Sequence, residues 1–168
     1  MLEIRRASAS DAAGIAAVLE VVVAERIHSA IERAWTVEQQ AHYLAGLSAR
    51  EAFHLAVDPE QGIAGLQSLD LWSPLSSMAH VGQVGTFLLP AWRGRGVGRL
   101  LWSATEAFAR EAGYRKLAIQ VRASNTGAQG FYRRLGFVEC GRLTRQVIID
   151  GVEEDEVLME LDIRRRHM

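Results

Sequence analysis

The chain has 168 residues, of which 49% are hydrophobic and 23% charged, with a formal net charge of -1. That length supports one domain with a real core and is short for two. The near-neutral balance disfavours a general nucleic-acid role, which needs a concentrated positive field, and the single cysteine, Cys140, excludes an intrachain disulfide and a multi-cysteine zinc site.

In chain order, Leu2 to Arg6 reads as a short strand. Ser10 or Asp11 is placed to cap a helix whose apolar positions Ile15, Val18, Leu19, Val22 and Val23 recur at helical spacing. The apolar stretch Val18 to Ala24 is too short to span a bilayer and carries Glu20 and Glu25 at its edges. No signal-peptide pattern heads the chain, and a reduced, cytoplasmic protein without a membrane partner is expected. Thr36, with Glu38 and Gln39 behind it, starts a second helix running to about Ser48. Ala52 to Asp58 and Ile63 to Leu71 form a hairpin around Pro59-Glu60-Gln61-Gly62.

After a loop at 72–77, Ala79 to Leu89 is a long strand interrupted by Gly82 and Gly85, a mark of a bulge or a close backbone approach. Gly96 to Glu111 is a strong helix with Leu100, Leu101, Ala104, Ala107 and Phe108 as its expected buried stripe, and Gly113 closes it. Lys116 to Val121 is a strand, and Asn125 to Leu135 a helix ending at Gly136. Phe137 to Cys140, Gln146 to Ile149 and Glu156 to Ile163 complete the sheet, with a turn at Asp150-Gly151. Cys140 is expected to be half-buried in the sheet, and the acidic run Glu153 to Glu156 to be a solvated turn. The whole of 1–168 reads as one domain, with 163–168 as a frayed basic tail.

The segment Arg93-Gly94-Arg95-Gly96-Val97-Gly98 lies between a strand and a helix. Helix starts leave backbone N–H groups without partners, and the helix dipole adds positive potential, so this turn is a cradle for an anion. No Gly-Lys-Ser/Thr follows, which removes the nucleotide-hydrolase P-loop, and the glycines come too late in the chain for a dinucleotide fingerprint. A second segment, Ser124 to Phe137, follows its own strand and contains Asn125, Ala128, Tyr132 and Gly136-Phe137.

Together these segments resemble the GCN5-related N-acetyltransferase (GNAT) family, whose phosphate signature Arg/Gln-x-x-Gly-x-Gly/Ala is matched at every fixed position by Arg93 to Gly98. The resemblance is specific from about His80 to Cys140. It implies an α+β three-layer fold: a mixed, mostly antiparallel sheet of six or seven strands flanked by about four helices, with strands four and five splayed apart. It implies acetyl-CoA as cosubstrate and no metal. The pyrophosphate falls to the backbone of Arg93, Gly94, Arg95, Gly96, Val97 and Gly98, with Arg95 or Arg99 adding charge at the rim, and the pantetheine arm to the backbone of Phe87, Leu88 and Leu89, with Asn125 contacting that arm or the adenosine side. Tyr132 becomes the general acid for the leaving thiolate, and a backbone N–H near Leu88 the oxyanion donor.

The base and the acceptor side carry weaker signals. His80, near the start of the substrate-side strand, is the candidate base, with Gln83 and Thr86 placed to hold a water. His28, Trp35, Asp70 and Trp72 are candidate acceptor contacts. No histidine spacing suggests a metal site. The expected activity is acetyl transfer to a primary amine of a small molecule. A non-catalytic acetyl-CoA-binding module and a protein or peptide N-acetyltransferase are the alternatives, and a homodimer is left open.

Overall fold

In the computed structural model, which describes residues 1–165, the chain runs β1 (Glu3–Arg6), α1 (Ala12–Ala24), α2 (Val37–Ala45), β2 (Ala52–Asp58), β3 (Gly62–Leu71), β4 (Val81–Leu88), α3 (Val97–Glu111), β5 (Lys116–Arg122), α4 (Thr126–Arg134), β6 (Val138–Ile149) and β7 (Val152–Asp162). The strands form one seven-stranded sheet in the order β1-β2-β3-β4-β5-β7-β6. Every junction is antiparallel except β4–β5. This is the mixed, mostly antiparallel sheet with flanking helices that the sequence implies.

Alternation along the strands gives the sheet two apolar faces. On one, Ile15, Val18, Leu19 and Val22 of α1 pack on Phe53, Leu55 and Leu66. On the other, Trp102 and Ala109 of α3 and Tyr132 of α4 pack on Leu117, Ile119, Val121 and Met159.

Local chemistry explains the helix starts. Thr36 Oγ1 accepts from the Gln39 N–H at 3.2 Å, and Gln39 Oε1 accepts from the Thr36 N–H at 3.0 Å, a reciprocal cap for α2. Asp11 precedes α1 without capping it. Its carboxylate is held by Arg5 at 2.8 and 2.9 Å and by the Ser8 N–H at 2.8 Å, which ties β1 to the entry of α1.

Several expectations are corrected. The buried stripe of α3 is Val97, Leu101, Trp102, Thr105 and Ala109, while Leu100 and Ala107 face solvent. The polar Thr105 is buried because His54 Nδ1 bonds its hydroxyl at 3.0 Å, a partner no helical periodicity reveals. The last two strands are long and continuous, so Glu153 to Glu156 lies inside β7 rather than in a turn. Cys140 is exposed on the edge strand β6. The basic tail starts later than expected, because Ile163 is buried and its N–H donates to the Arg115 carbonyl at 3.1 Å. Residues 166–168, including His167, lie outside the described residues. Among the described residues no helix is long and apolar enough to cross a membrane.

Burial holds the His54 imidazole down to about 4 from an ordinary 6.5, with the Arg6 charge acting in the same direction. The unfolded chain therefore binds more protons between those values, and His54 contributes stability that is complete above pH ~6.5 and lost as pH falls toward ~4. Urea unfolding across that window should show a falling midpoint for the wild type and a shallower fall for His54→Asn. Equal slopes would contradict a buried neutral imidazole.

Candidate functional site

Parallel pairing between β4 and β5 is confined to Val81–Lys116, Gly82–Leu117 and Gln83–Ala118. Beyond Gln83 the strands diverge, while β4 keeps regular register with β3 as far as Leu88. Of the bulge or close approach expected at Gly82 and Gly85, the β3–β4 register shows no bulge. Gly82 instead permits close packing, since a Cβ there would come within 2.8 Å of Leu69 and 2.9 Å of Leu117. At the base of the fork Gln83 Nε2 donates to Gln120 Oε1 at 3.1 Å, a side-chain bridge where backbone pairing ends. A cleft of about 860 Å³ opens there, the size of a cavity that holds a small ligand or cofactor.

On the α3 side the cleft is walled by the turn from Arg93 to Arg99. Gly94 and Gly96 are left-handed, with φ of 70° and 81°, on either side of Arg95. That alternation turns successive N–H groups toward one side, an anion-binding concavity. Among the described residues the N–H groups from Gly94 to Gly98 have no acceptor, and α3 begins at Val97, so its dipole reinforces them. Gly98 is required for a different reason: a Cβ would meet the Phe131 ring at 3.0 Å.

The arginines divide their work in a way the motif does not show. Arg93 donates to the Leu88 carbonyl through Nε at 3.1 Å and Nη2 at 2.9 Å, and to the Glu25 carboxylate at 2.8 and 2.6 Å. It fastens the turn to β4 and α1 and holds the Glu25 carboxyl below its ordinary range. Arg95 lies over the Trp92 ring, 4.7 Å from its centroid, and is not part of the cleft wall. Arg99 lines the cleft with no side-chain partner among the described residues, so it is the cation of this turn left for a ligand.

The backbone of β4 also sorts itself. The Leu89 N–H donates to the Ala64 carbonyl at 3.0 Å. Antiparallel alternation then aims the polar groups of Leu89, Phe87 and Gly85 at β3, and those of Val84, Thr86 and Leu88 at the open edge. Phe87 and Leu89 are thus corrected as backbone contacts, although the Phe87 side chain lines the cleft. With its carbonyl taken by Arg93, Leu88 offers its N–H.

Tyr132 reaches the fork from α4. Its hydroxyl is 2.7 Å from Thr86 Oγ1, which accepts from Gln67 Nε2 at 2.8 Å. Either hydroxyl can donate in this pair, and the arrangement in which Thr86 donates leaves the phenol proton to point into the cleft. Burial pushes the phenol up to about 12, partly offset by the Thr86 hydrogen bond, so it is protonated near neutrality. Asn125 caps α4 through its Oδ1, which accepts from the Ala128 N–H at 3.1 Å, and is nearly buried in the cleft wall.

On the opposite face, His28 and Asp70 line the cleft. His28 Nε2 stands 3.4 Å from Glu25. Asp70 accepts from the Tyr43 hydroxyl, and burial raises its carboxyl above the ordinary range. Trp35 is outside the cleft, stacked edge-on against Tyr43 with ring centroids 5.5 Å apart, and Trp72 is also outside. His80 is exposed at the far end of β4, roughly 20 Å from Thr86 at ~3.3 Å per residue. It is not brought to Tyr132.

Sequence reasoning missed Gln120, Arg122 and Glu156. Glu156 is 6% exposed, and among the described residues its side chain makes no hydrogen bond or ion pair. Burial raises its carboxyl, against a lowering influence of Arg122. Arg122 is itself engaged by Glu154 at 2.6 Å and by the carbonyls of Arg26 at 2.6 Å and Ser29 at 3.3 Å.

The sequence model of the acetyltransferase (GNAT) family matches residues 19–137. The chain belongs to this family. Over 59 residues it is 41% identical to the aminoglycoside N(6')-acetyltransferase type 1 of Stenotrophomonas maltophilia, a match spanning 35% of this chain and 39% of that enzyme. Among solved structures, the ribosomal-protein-alanine N-acetyltransferase of Brucella melitensis superposes with a TM-score of 0.88 at 23% identity, covering 96% of this chain and 99% of that one. A phosphinothricin acetyltransferase from Sinorhizobium meliloti, solved with acetyl-CoA, gives 0.88 at 18% identity, covering 96% and 88%. These two likenesses are of fold.

A non-glycine residue in left-handed conformation costs roughly 1–2 kcal/mol, and nothing lies within 4 Å of a Cβ at Gly96, so strain rather than collision is the lever there. Gly96→Val should weaken CoA binding about tenfold by calorimetry while leaving the circular dichroism spectrum intact. Unchanged affinity would contradict the cradle.

Proposed function

We propose that this protein moves the acetyl group of acetyl-CoA to a primary amine of a small molecule by direct attack. The observation that carries the reading is the Tyr132 hydroxyl at the fork, beside the open edge of β4 and at one end of a cleft whose other end is the N–H cradle. In this reading the cradle and Arg99 hold the pyrophosphate, and the edge of β4 at Val84, Thr86 and Leu88 pairs with the pantetheine arm like an added strand. The fit is supported by the unpaired N–H groups of Gly94 to Gly98, which suit an anion.

The amine attacks the thioester carbonyl, and the Leu88 N–H faces the developing oxyanion. The C–S bond breaks, and Tyr132 donates its proton to the sulfur. A phenol at about 12 does not give a proton to an ordinary thiolate at equilibrium. Tyr132 must therefore regain one, from the newly acylated nitrogen, as it donates.

A small acceptor is favoured over a protein chain by the rim of the cleft. Arg122 pins residues 26–29 through two backbone carbonyls, which fixes the segment carrying His28 and Ser29 at the cleft wall. The exposed lone Cys140 supports a reducing, cytoplasmic setting.

Tyr132→Phe should lower kcat at least tenfold with acetyl-CoA affinity within twofold of wild type, as read by thiol release and calorimetry. Thr86→Val, which removes the hydrogen bond that steadies the phenolate, should lower kcat by roughly tenfold, the lower end for a bond to a charged group. An unchanged kcat in both variants, or tight acetyl-CoA binding with no transfer to any amine by the wild type, would contradict the reading.

A further inference from the structure

The proposed transfer leaves one proton without a receiver. A primary amine arrives mostly as an ammonium ion, and it must lose a proton before its nitrogen can attack. His80 is too far along β4, and His28 faces Glu25. Tyr132 is protonated and acts as a donor.

The sheet register points elsewhere. Glu156 of β7 stands opposite Arg122 of β5, and Gln120 lies two residues before Arg122 on the same face. Gln120 is bridged to Gln83, which stands opposite Asp70. Asp70, Gln83, Gln120 and Glu156 therefore share the face turned toward α1, whereas Tyr132 comes from the α4 side and meets that face through the fork. The donor occupies one side of the sheet and this polar row the other. Glu156 is the member of the row that is almost buried, lines the cleft and, among the described residues, has no side-chain partner. Its oxygens reach the cleft while the facing Arg122 is turned to other partners, so this carboxylate is placed to receive a cation from the cleft.

Resting on the acetyl-transfer reading above, we infer that Glu156 is the catalytic residue that receives the acceptor's ammonium group and takes its proton, and that the acceptor is a cationic amine without a carboxylate. The step balances simply. The ammonium gives one proton to the Glu156 carboxylate, the nitrogen lone pair forms the C–N bond, the C–S pair leaves with sulfur, which takes the Tyr132 proton while the acylated nitrogen returns its second proton to Tyr132, and Glu156 later releases its proton to water. The charged groups beside Glu156 are Arg122 across the ladder and Glu154 on its own strand, while Asp70 and His28 line the same cleft. Arg122 is engaged by Glu154 and two carbonyls, and Arg93 by Glu25 and Leu88, so neither is available to an acceptor carboxylate. Asp70 adds a second carboxyl on the same face. The acceptor side is thus built to attract positive charge and to repel an anionic group.

The test uses the full chain, acetyl-CoA, and spermidine, cadaverine, L-alanine and an alanine-initiated tripeptide as acceptors, with thiol release as the readout. Spermidine or cadaverine should exceed alanine and the tripeptide at least tenfold in kcat/KM. Glu156→Gln should lower kcat about a hundredfold at pH 7, within the range of general base catalysis, with acetyl-CoA affinity within twofold. Its rate should climb with pH as the amine loses its own proton, and Glu156→Asp should recover part of the loss at neutral pH. Should Glu156→Gln fail to fold, the wild-type acceptor preference and the partial rate of Glu156→Asp still decide. Preference for the carboxylate-bearing acceptors, or a Glu156→Gln rate within threefold of wild type at pH 7, overturns this role while leaving acetyl transfer intact. No transfer by the wild type to any of the four, with acetyl-CoA bound, overturns this role, and the transferase reading falls with it only when a wider amine panel is also left unacetylated.

Discussion

The separation of β4 from β5 after Gln83 is the constraint on which the rest of the site depends. A sheet that stayed paired would bury the edge of β4 and leave no cleft. Because the strands part, Val84, Thr86 and Leu88 keep unpaired backbone groups, Tyr132 can reach Thr86 from the α4 side, and Glu156 can approach from the other. The fork is held at its base by three backbone pairs and the Gln83–Gln120 bridge. On the far side it is held by β7, which pairs with β5 along its whole length.

Arg93 connects this constraint to the cradle. Its guanidinium joins the Leu88 carbonyl on the open edge to Glu25 at the end of α1, with the glycine turn hanging from the same residue. A residue that the family resemblance assigns to the pyrophosphate is the fastener that sets where the glycine turn stands relative to the edge strand. The charge toward a ligand comes from Arg99 and the helix start, and specificity of position comes from Arg93.

Much of the architecture was legible because local signals were strong. The Thr36 cap, the Asp150-Gly151 turn and the alternation of strands and helices all appear where the sequence places them. The glycine turn at the helix start was legible too, since it needs only contiguous residues. The polar residues of the opposite face of the cleft were not. Glu156 sits in an acidic run that reads as solvated, and only pairing with β5 turns it inward while Asp155 turns to Arg142 and the Arg145 N–H. Likewise Thr105 is buried because His54 from a distant strand meets it. Interactions between residues far apart in sequence decide such positions, and a single chain read locally does not contain them.

The most direct measurement of the central claim is a crystal structure of the protein with CoA bound. The account predicts the pyrophosphate against the N–H groups of Gly94 to Gly98, the pantetheine arm along Val84 to Leu88, and the sulfur within hydrogen-bond reach of the Tyr132 hydroxyl. A CoA seated elsewhere on the sheet, or a sulfur remote from Tyr132 with the fork closed, would contradict it.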